Sequence, residues 1–207
     1  MAKISNQGSY PAVSPADSDY IIGTDASDDN ATKTFDFLGI SNYVKSKLAL
    51  SAPSVLSAKS TTNQEPSGVD TALQVTFGAA QGTVSDPVML AADGTITFNQ
   101  TGLYLINGFG NFERQGSSGG VTLTIWRVLL DSVQVGNVKG VDLSNTGIML
   151  PYEVTVPISI TTAGTELTYE IMRDSSGVNG GGLYIHETDG PWADVPSASI
   201  DIYKIGV

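Results

Sequence analysis

The chain has 207 residues, ten Lys and Arg against 21 Asp and Glu, and no cysteine. A formal charge of −11 argues against broad contact with nucleic acid, which needs a basic footprint, and the missing cysteines exclude a disulfide framework, a thiolate metal site and a Cys nucleophile. The length supports one sizeable core with a smaller module beside it, and no apolar run approaches the ~20 residues of a bilayer-spanning helix.

The opening MAKISNQGSYPAV has no apolar stretch behind its single Lys, so it is not a secretory signal and points to synthesis in a cytoplasm. SDYIIGTD and ATKTF then form two short β-favourable runs around the turn cluster ASDDN. DFLGISNYVKSKL follows, with Phe37, Ile40, Val44 and Leu48 near one helical stripe and Asp36 placed as N-cap. A hairpin and one helix bury too little apolar area to stand alone, so residues 1–50 should need a partner. Residues 51–66, rich in Ser, Ala and Thr without sustained period, have the composition of a linker.

From about Ser67 the chain is a succession of strands, a domain spanning residues 67–207. VDTALQVTF alternates with Val69, Thr71, Leu73, Val75 and Phe77 inward. YEVTVPISI alternates with Tyr152, Val154, Val156, Ile158 and Ile160 on one face, and its Pro157, which lacks a donor, belongs at a sheet edge or bulge. GTITF, GLYLINGF, VTLTIWRVLL, ELTYEIM, GLYIHE and ASIDIYKIGV complete the set, separated by Gly-, Asn-, Asp- and Ser-rich turns. The pattern predicts a mainly β protein with a C-terminal antiparallel sandwich or jelly roll.

Two of these strands are apolar on both sides. In NQTGLYLINGFGNFER, Leu103, Leu105 and Phe109 face one way and Tyr104, Ile106 and Phe112 the other. In VTLTIWRVLL the split is Leu123, Ile125 and Leu129 against Trp126, Val128 and Leu130. A sandwich has one interior, so the extra faces must meet sister copies or a segment of the chain folded back. The expected interface residues are Tyr104, Ile106, Phe109, Phe112 and Trp126.

ITFNQTGLYLINGF, with Phe98, Gly102 and Tyr104, resembles the strand pair of complement-type globular heads and tumour necrosis factor; Ile106 stands where an aromatic is usual. ITTAGTELTYEI is similar to that family's turn and strand through Gly164, Glu166 and Leu167, with Thr165 replacing Asp. This resemblance, over roughly residues 66–207, implies a jelly roll that assembles as a compact homotrimer. The stretch from Tyr10 to Val44 is similar to the anchoring module of tailed-bacteriophage virion proteins, through Asp19, Ile21, Ile22, Gly23, Thr32, Lys33 and Phe35. It implies attachment to capsid or tail proteins, with Tyr20, Ile21, Ile22, Phe35, Phe37 and Ile40 as the anchoring set.

Sites for chemistry are sparse. His186, the one histidine, lies beside Glu187 and Asp189, but neighbours on a strand face opposite ways, which favours a polar rim residue over a metal ligand or acid–base pair. Asp25, Asp28 and Asp29 lack the Gly and terminal Glu of a calcium loop. GSSGG and GVNGGG precede no helix that would hold a phosphate, and no nucleophile elbow is present. Asn30 and Asn99 sit in sequons that a bacterial cytoplasm leaves bare.

The expectation is therefore a non-enzymatic, cofactor-free virion appendage made in a bacterial cytoplasm and displayed on the particle exterior, with no nucleic-acid partner and no membrane insertion. Its loops 115–120 and 176–182 would point outward, and Tyr184, His186 and Trp192 would touch a host-surface glycan. The alternatives are a capsid decoration protein that stabilises the head, a small glycan-acting enzyme, and a secreted lectin-like module.

Overall fold

The computed structural model describes residues 20–25, 31–48, 54–115, 120–174 and 180–206. The chain divides into two compact units, Met1–Ser51 and Ala52–Val207. In the first, β1 (Tyr20–Asp25) and β2 (Ala31–Asp36) pair antiparallel, and α1 (Phe37–Leu48) follows directly. Asp36 caps that helix as expected: its carboxylate accepts the backbone N–H of Gly39, the third helical residue. No residue of this unit whose exposure is described is buried.

The second unit is an antiparallel β-sandwich with jelly-roll connections. One sheet runs β10 (Leu150–Ile160), β7 (Gly102–Glu113), β13 (Ala198–Gly206), β3 (Ser54–Ser60), with β12 (Gly182–Leu183) on the end of β7. The other runs β5 (Val88–Leu90), β6 (Ile96–Phe98), β11 (Thr165–Arg173), β8 (Thr122–Leu130), β9 (Val133–Leu143), with β4 (Leu73–Gln74) against β11. The chain changes sheet at β3–β4, β6–β7, β7–β8, β9–β10, β10–β11 and β11–β12, so each sheet holds strands far apart in sequence.

Two expectations are corrected here. Residues 54–60 are not linker: β3 is an edge strand paired with β13, and Leu56 and Ala58 are buried in the core. Its small Ser and Ala residues match linker composition, yet their alternation keeps one side apolar. The strand expected over 69–77 shrinks to β4, because Asp70 adopts a left-handed φ of 55° and Thr71 Oγ1 bonds Val69 O at 3.2 Å. Val75 and Phe77 are buried as expected, whereas Val69 and Thr71 are exposed. Pro157 does lie on an edge strand, β10.

The core explains why β7 carries glycines. Its inward side chains are Tyr104, Ile106, Gly108, Gly110 and Phe112, large at both ends and absent in the middle. Into that gap the opposite sheet inserts Trp126 and Tyr169, whose rings pack edge-on at 5.2 Å. A Cβ on Gly110 would sit 2.6 Å from Trp126 Cζ3, and one on Gly108 2.9 Å from Tyr169 Cε1. The aromatic stack continues from Trp126 to Phe112 and from Tyr169 to Phe77, at 5.6 Å each.

Candidate functional site

The residues expected at an interface between copies divide. Tyr104, Ile106, Phe112 and Trp126 are at most 1% exposed, enclosed by the two sheets of a single chain. They hold the sandwich together and cannot meet a sister copy, which corrects the expectation. Phe109 alone of the five is on the outward side of β7, half-buried. The second face of β7 is therefore Leu103, Leu105, Asn107 and Phe109.

Cross-strand registers extend that face. Pro157 of β10 and Tyr203 of β13 flank Leu105 on either side. Leu103 (38% exposed) and Ile205 (51% exposed) continue it towards the sheet's end. A polar row lies beside this patch: Thr155 and Asp201 flank Asn107, and Thr155 Oγ1 donates to Asn107 Oδ1 at 3.0 Å. A second apolar surface is the open side of the sandwich. The inward residues of β10, Tyr152, Val154 and Val156, stay half-buried, because the facing edge strand β9 is exposed over most of its length.

The outward face of β8 is arranged differently. Arg127 pairs with Glu170 of β11 across it, 2.5 Å between Nη2 and Oε2. Opposite Arg127, β9 bulges at residues 136–138, with Gly136 at a φ of 67°. Val138 and Ile125, with Ala72 and Met172, border a groove of about 240 Å³ on this face.

The three expected receptor contacts are also divided. Tyr184 is 4% exposed and donates its hydroxyl to Glu65 Oε2 at 2.8 Å, so it is a structural residue. Burial first, and the Glu65 hydrogen bond second, push its phenol well above the usual tyrosine range. Glu65 also receives Arg173 Nη1 at 2.6 Å, and that guanidinium reaches the carbonyl of Pro66. His186 and Trp192 are exposed, on one loop. His186 and Val195 exchange backbone hydrogen bonds of 3.1 and 3.0 Å that close its base. Inside, Thr188 N donates to Asp194 Oδ1 at 2.9 Å and Thr188 Oγ1 to the Trp192 carbonyl at 2.8 Å.

Sequence reasoning missed Asn111, a buried polar residue that fastens this loop and the β9–β10 connection together. Its carbonyl accepts Tyr184 N at 2.9 Å, and its amide donates to Tyr184 O at 3.2 Å and Met149 Sδ at 3.0 Å. An Asn at an outward parity position of an apolar strand was the available signal. The expected outward loops 115–120 and 176–182 fall largely outside the described residues, and Gly180, Gly181 and Gly182 are buried, the last in β12. Of the anchoring set, Ile21 and Phe35 face each other across the hairpin, 44% and 38% exposed, and Phe37 and Ile40 are half-buried. The side chains of Tyr20 and Ile22 lie outside the described residues, as do Asp28, Asp29 and Asn30. Phe35 and Ile40 line a 430 Å³ hollow with Thr34, Asp36, Gly39 and Tyr43. Asn99 uses its side-chain amide on the carbonyls of Asp86 (2.9 Å) and Thr83 (3.3 Å), so its sequon is engaged in the fold. Among the described residues no three His, Asp or Glu side chains converge as a metal site, and no helix is long and apolar enough to cross a membrane.

Strand order defines the second unit as an antiparallel jelly-roll sandwich. No family model and no curated protein sequence matches the chain. Among solved structures it is similar to Eiger TNF from S. frugiperda, at 16% identity and a TM-score of 0.34, covering 74% of this chain and 93% of that one. It is also similar to a chain of infectious bursal disease virus, Gx strain, at 12% identity and a TM-score of 0.29, covering 73% of this chain and 35% of that one. At these scores neither neighbour decides anything about this chain, and the fold rests on its own sheets.

Proposed function

We propose that this chain is a non-enzymatic structural protein of a tailed-bacteriophage virion: a homotrimeric jelly-roll knob, held to capsid or tail proteins by residues 1–50 and attached to the host through its surface glycans. The observation that carries the assembly is the outward face of β7 and β13, where Leu103, Leu105, Phe109, Tyr203 and Ile205 lie outside the sandwich core. A second, different apolar surface along Tyr152, Val154 and Val156 supports a head-to-tail contact, the kind that closes into a ring when the rotation between copies allows it. The first unit, with Ile21, Leu38, Tyr43 and Val44 all more than two-fifths exposed, has the surface of a module that docks.

Light scattering on the full chain should give about three times 21.6 kDa. Leu105→Asp, which sets a carboxylate in the proposed contact, should reduce that mass to one chain while the β-sheet circular dichroism stays unchanged. A wild-type monomer in dilute buffer, or a Leu105→Asp protein that remains trimeric, overturns the reading.

A further inference from the structure

The registers fix which end of the sandwich faces away from the point where the chain enters it. Ser54, the first described residue of β3, pairs with Tyr203 at one end of β13, and Ser60 pairs with Ala198 at the other. Seven residues of strand separate these ends by roughly 20 Å. The His186–Val195 loop joins β13 at the Ala198 end, as does the β9–β10 connection, since Leu150 pairs with Phe112 at that end of β7. Trp192 is thus carried on the far end of the knob. It is 79% exposed, the most exposed aromatic side chain described.

This loop is held rather than loose. Its base is closed by the His186–Val195 pair, its throat by the Thr188–Asp194 and Thr188–Trp192 bonds, and Gly190 makes the turn at a φ of 98°. Both of its stems are fixed in the core: Tyr184 by Asn111 and Glu65, and Ser197 by Oγ to Thr62 O at 2.6 Å and by its carbonyl to Asn111 N at 2.8 Å. An aromatic side chain presented on a prefixed loop loses little freedom on binding. Charge narrows the ligand. Residues 184–197, YIHETDGPWADVPS, hold Glu187, Asp189 and Asp194 and no Lys or Arg. Three carboxylates repel sialylated, sulfated or phosphorylated polymers, and they accept hydrogen bonds from hydroxyl groups.

We propose that the far end of the knob binds an uncharged glycan, with the C–H face of a pyranose ring stacked on the Trp192 indole and its hydroxyls donating to the loop's carboxylates. This rests on the host-attachment reading and names its ligand class and contact residue. The test uses the full-length protein on an array of neutral hexose and N-acetylhexosamine oligosaccharides printed beside sialylated and sulfated ones, with light scattering run in parallel. At least one neutral probe should be bound, Trp192→Ala should weaken it tenfold or more, and Trp192→Phe should recover most of the loss. Thr188→Val, which frees the Trp192 carbonyl, should weaken it several-fold. Binding confined to acidic probes, binding to no probe, or a Trp192→Ala protein that binds as well as wild type overturns the proposal. A monomer that still binds neutral probes through Trp192 sinks the trimer and keeps this site; a trimer that binds none does the reverse.

Discussion

β7 and β8 are both apolar on two sides, and the molecule treats the second side of each differently. On β8 an ion pair, Arg127–Glu170, interrupts the outward stripe. Leu129 ends up 9% exposed without help from another chain. On β7 the outward residues gain neighbours of the same kind, Pro157 and Tyr203, and the patch runs on to Leu103 and Ile205 at the surface. A strand with two apolar faces therefore does not by itself mark an interface. What matters is whether the chain's own neighbours interrupt the second face or enlarge it.

The strongest way to break this comparison is to charge an inward position and watch the fold. Trp126→Asp removes a ring that is 1% exposed and leaves a carboxylate between the sheets. The lost packing costs about 3–5 kcal/mol and the unpaired charge several more, against a domain stability of about 5–15 kcal/mol. The expected product is unfolded or insoluble chain, in contrast to the folded monomer expected from Leu105→Asp. A soluble, native-like Trp126→Asp protein by circular dichroism would mean that the two faces have been exchanged.

That exchange is the error the alternation pattern invites, because parity separates two faces without naming them. The names were present in smaller residues. Gly108 and Gly110 share parity with Tyr104, Ile106 and Phe112, and glycines among large side chains mark the side that must admit rings from an opposing sheet. Asn107 shares parity with Leu103, Leu105 and Phe109, and Arg127 with Leu123 and Ile125, so polar interruptions mark the outward sides. The jelly-roll class, the edge position of Pro157 and the Asp36 cap were all legible locally. β3 and the partners of Asn111 were not, since the residues they pair with lie more than a hundred, or several tens of, residues away in sequence.

Gly110→Ala sharpens the same point at a smaller scale. Its backbone is extended, so the cost is purely the methyl group meeting Trp126 Cζ3 at 2.6 Å and Leu183 Cδ2 at 2.9 Å. Overpacking of this kind costs about 1–3 kcal/mol, to be read as a lower urea midpoint with unchanged slope. Ser199→Ala, outward on β13, should stay within about 0.5 kcal/mol. Equal effects at the two positions would contradict the assignment of Gly110 to the packed side.

The inward face should also leave a mark on alkaline stability. Tyr169 is fully buried with its ring against Gly108, its hydroxyl has no hydrogen-bond partner among the described residues, and burial raises its phenol far above the ordinary value. Burial raises Tyr104 as well. In the unfolded chain these phenols ionise near pH 10, as ordinary tyrosines do. The folded state keeps its protons to higher pH, so above about pH 10 it binds more protons than the unfolded state does. Stability is then complete below that pH and falls as pH rises beyond it. Tyr169→Phe deletes a hydroxyl without a partner among the described residues, so at pH 7 the stability should change by less than about 1 kcal/mol. Between about pH 10 and 11.5 the variant should lose stability more slowly than wild type, because one ionisation that favours unfolding is gone. The urea midpoint measured at half-unit steps through that window reads the difference. Parallel curves for the two proteins would mean that the Tyr169 phenol ionises as readily in the fold as outside it, which a ring enclosed by Phe77, Trp126 and Gly108 does not allow.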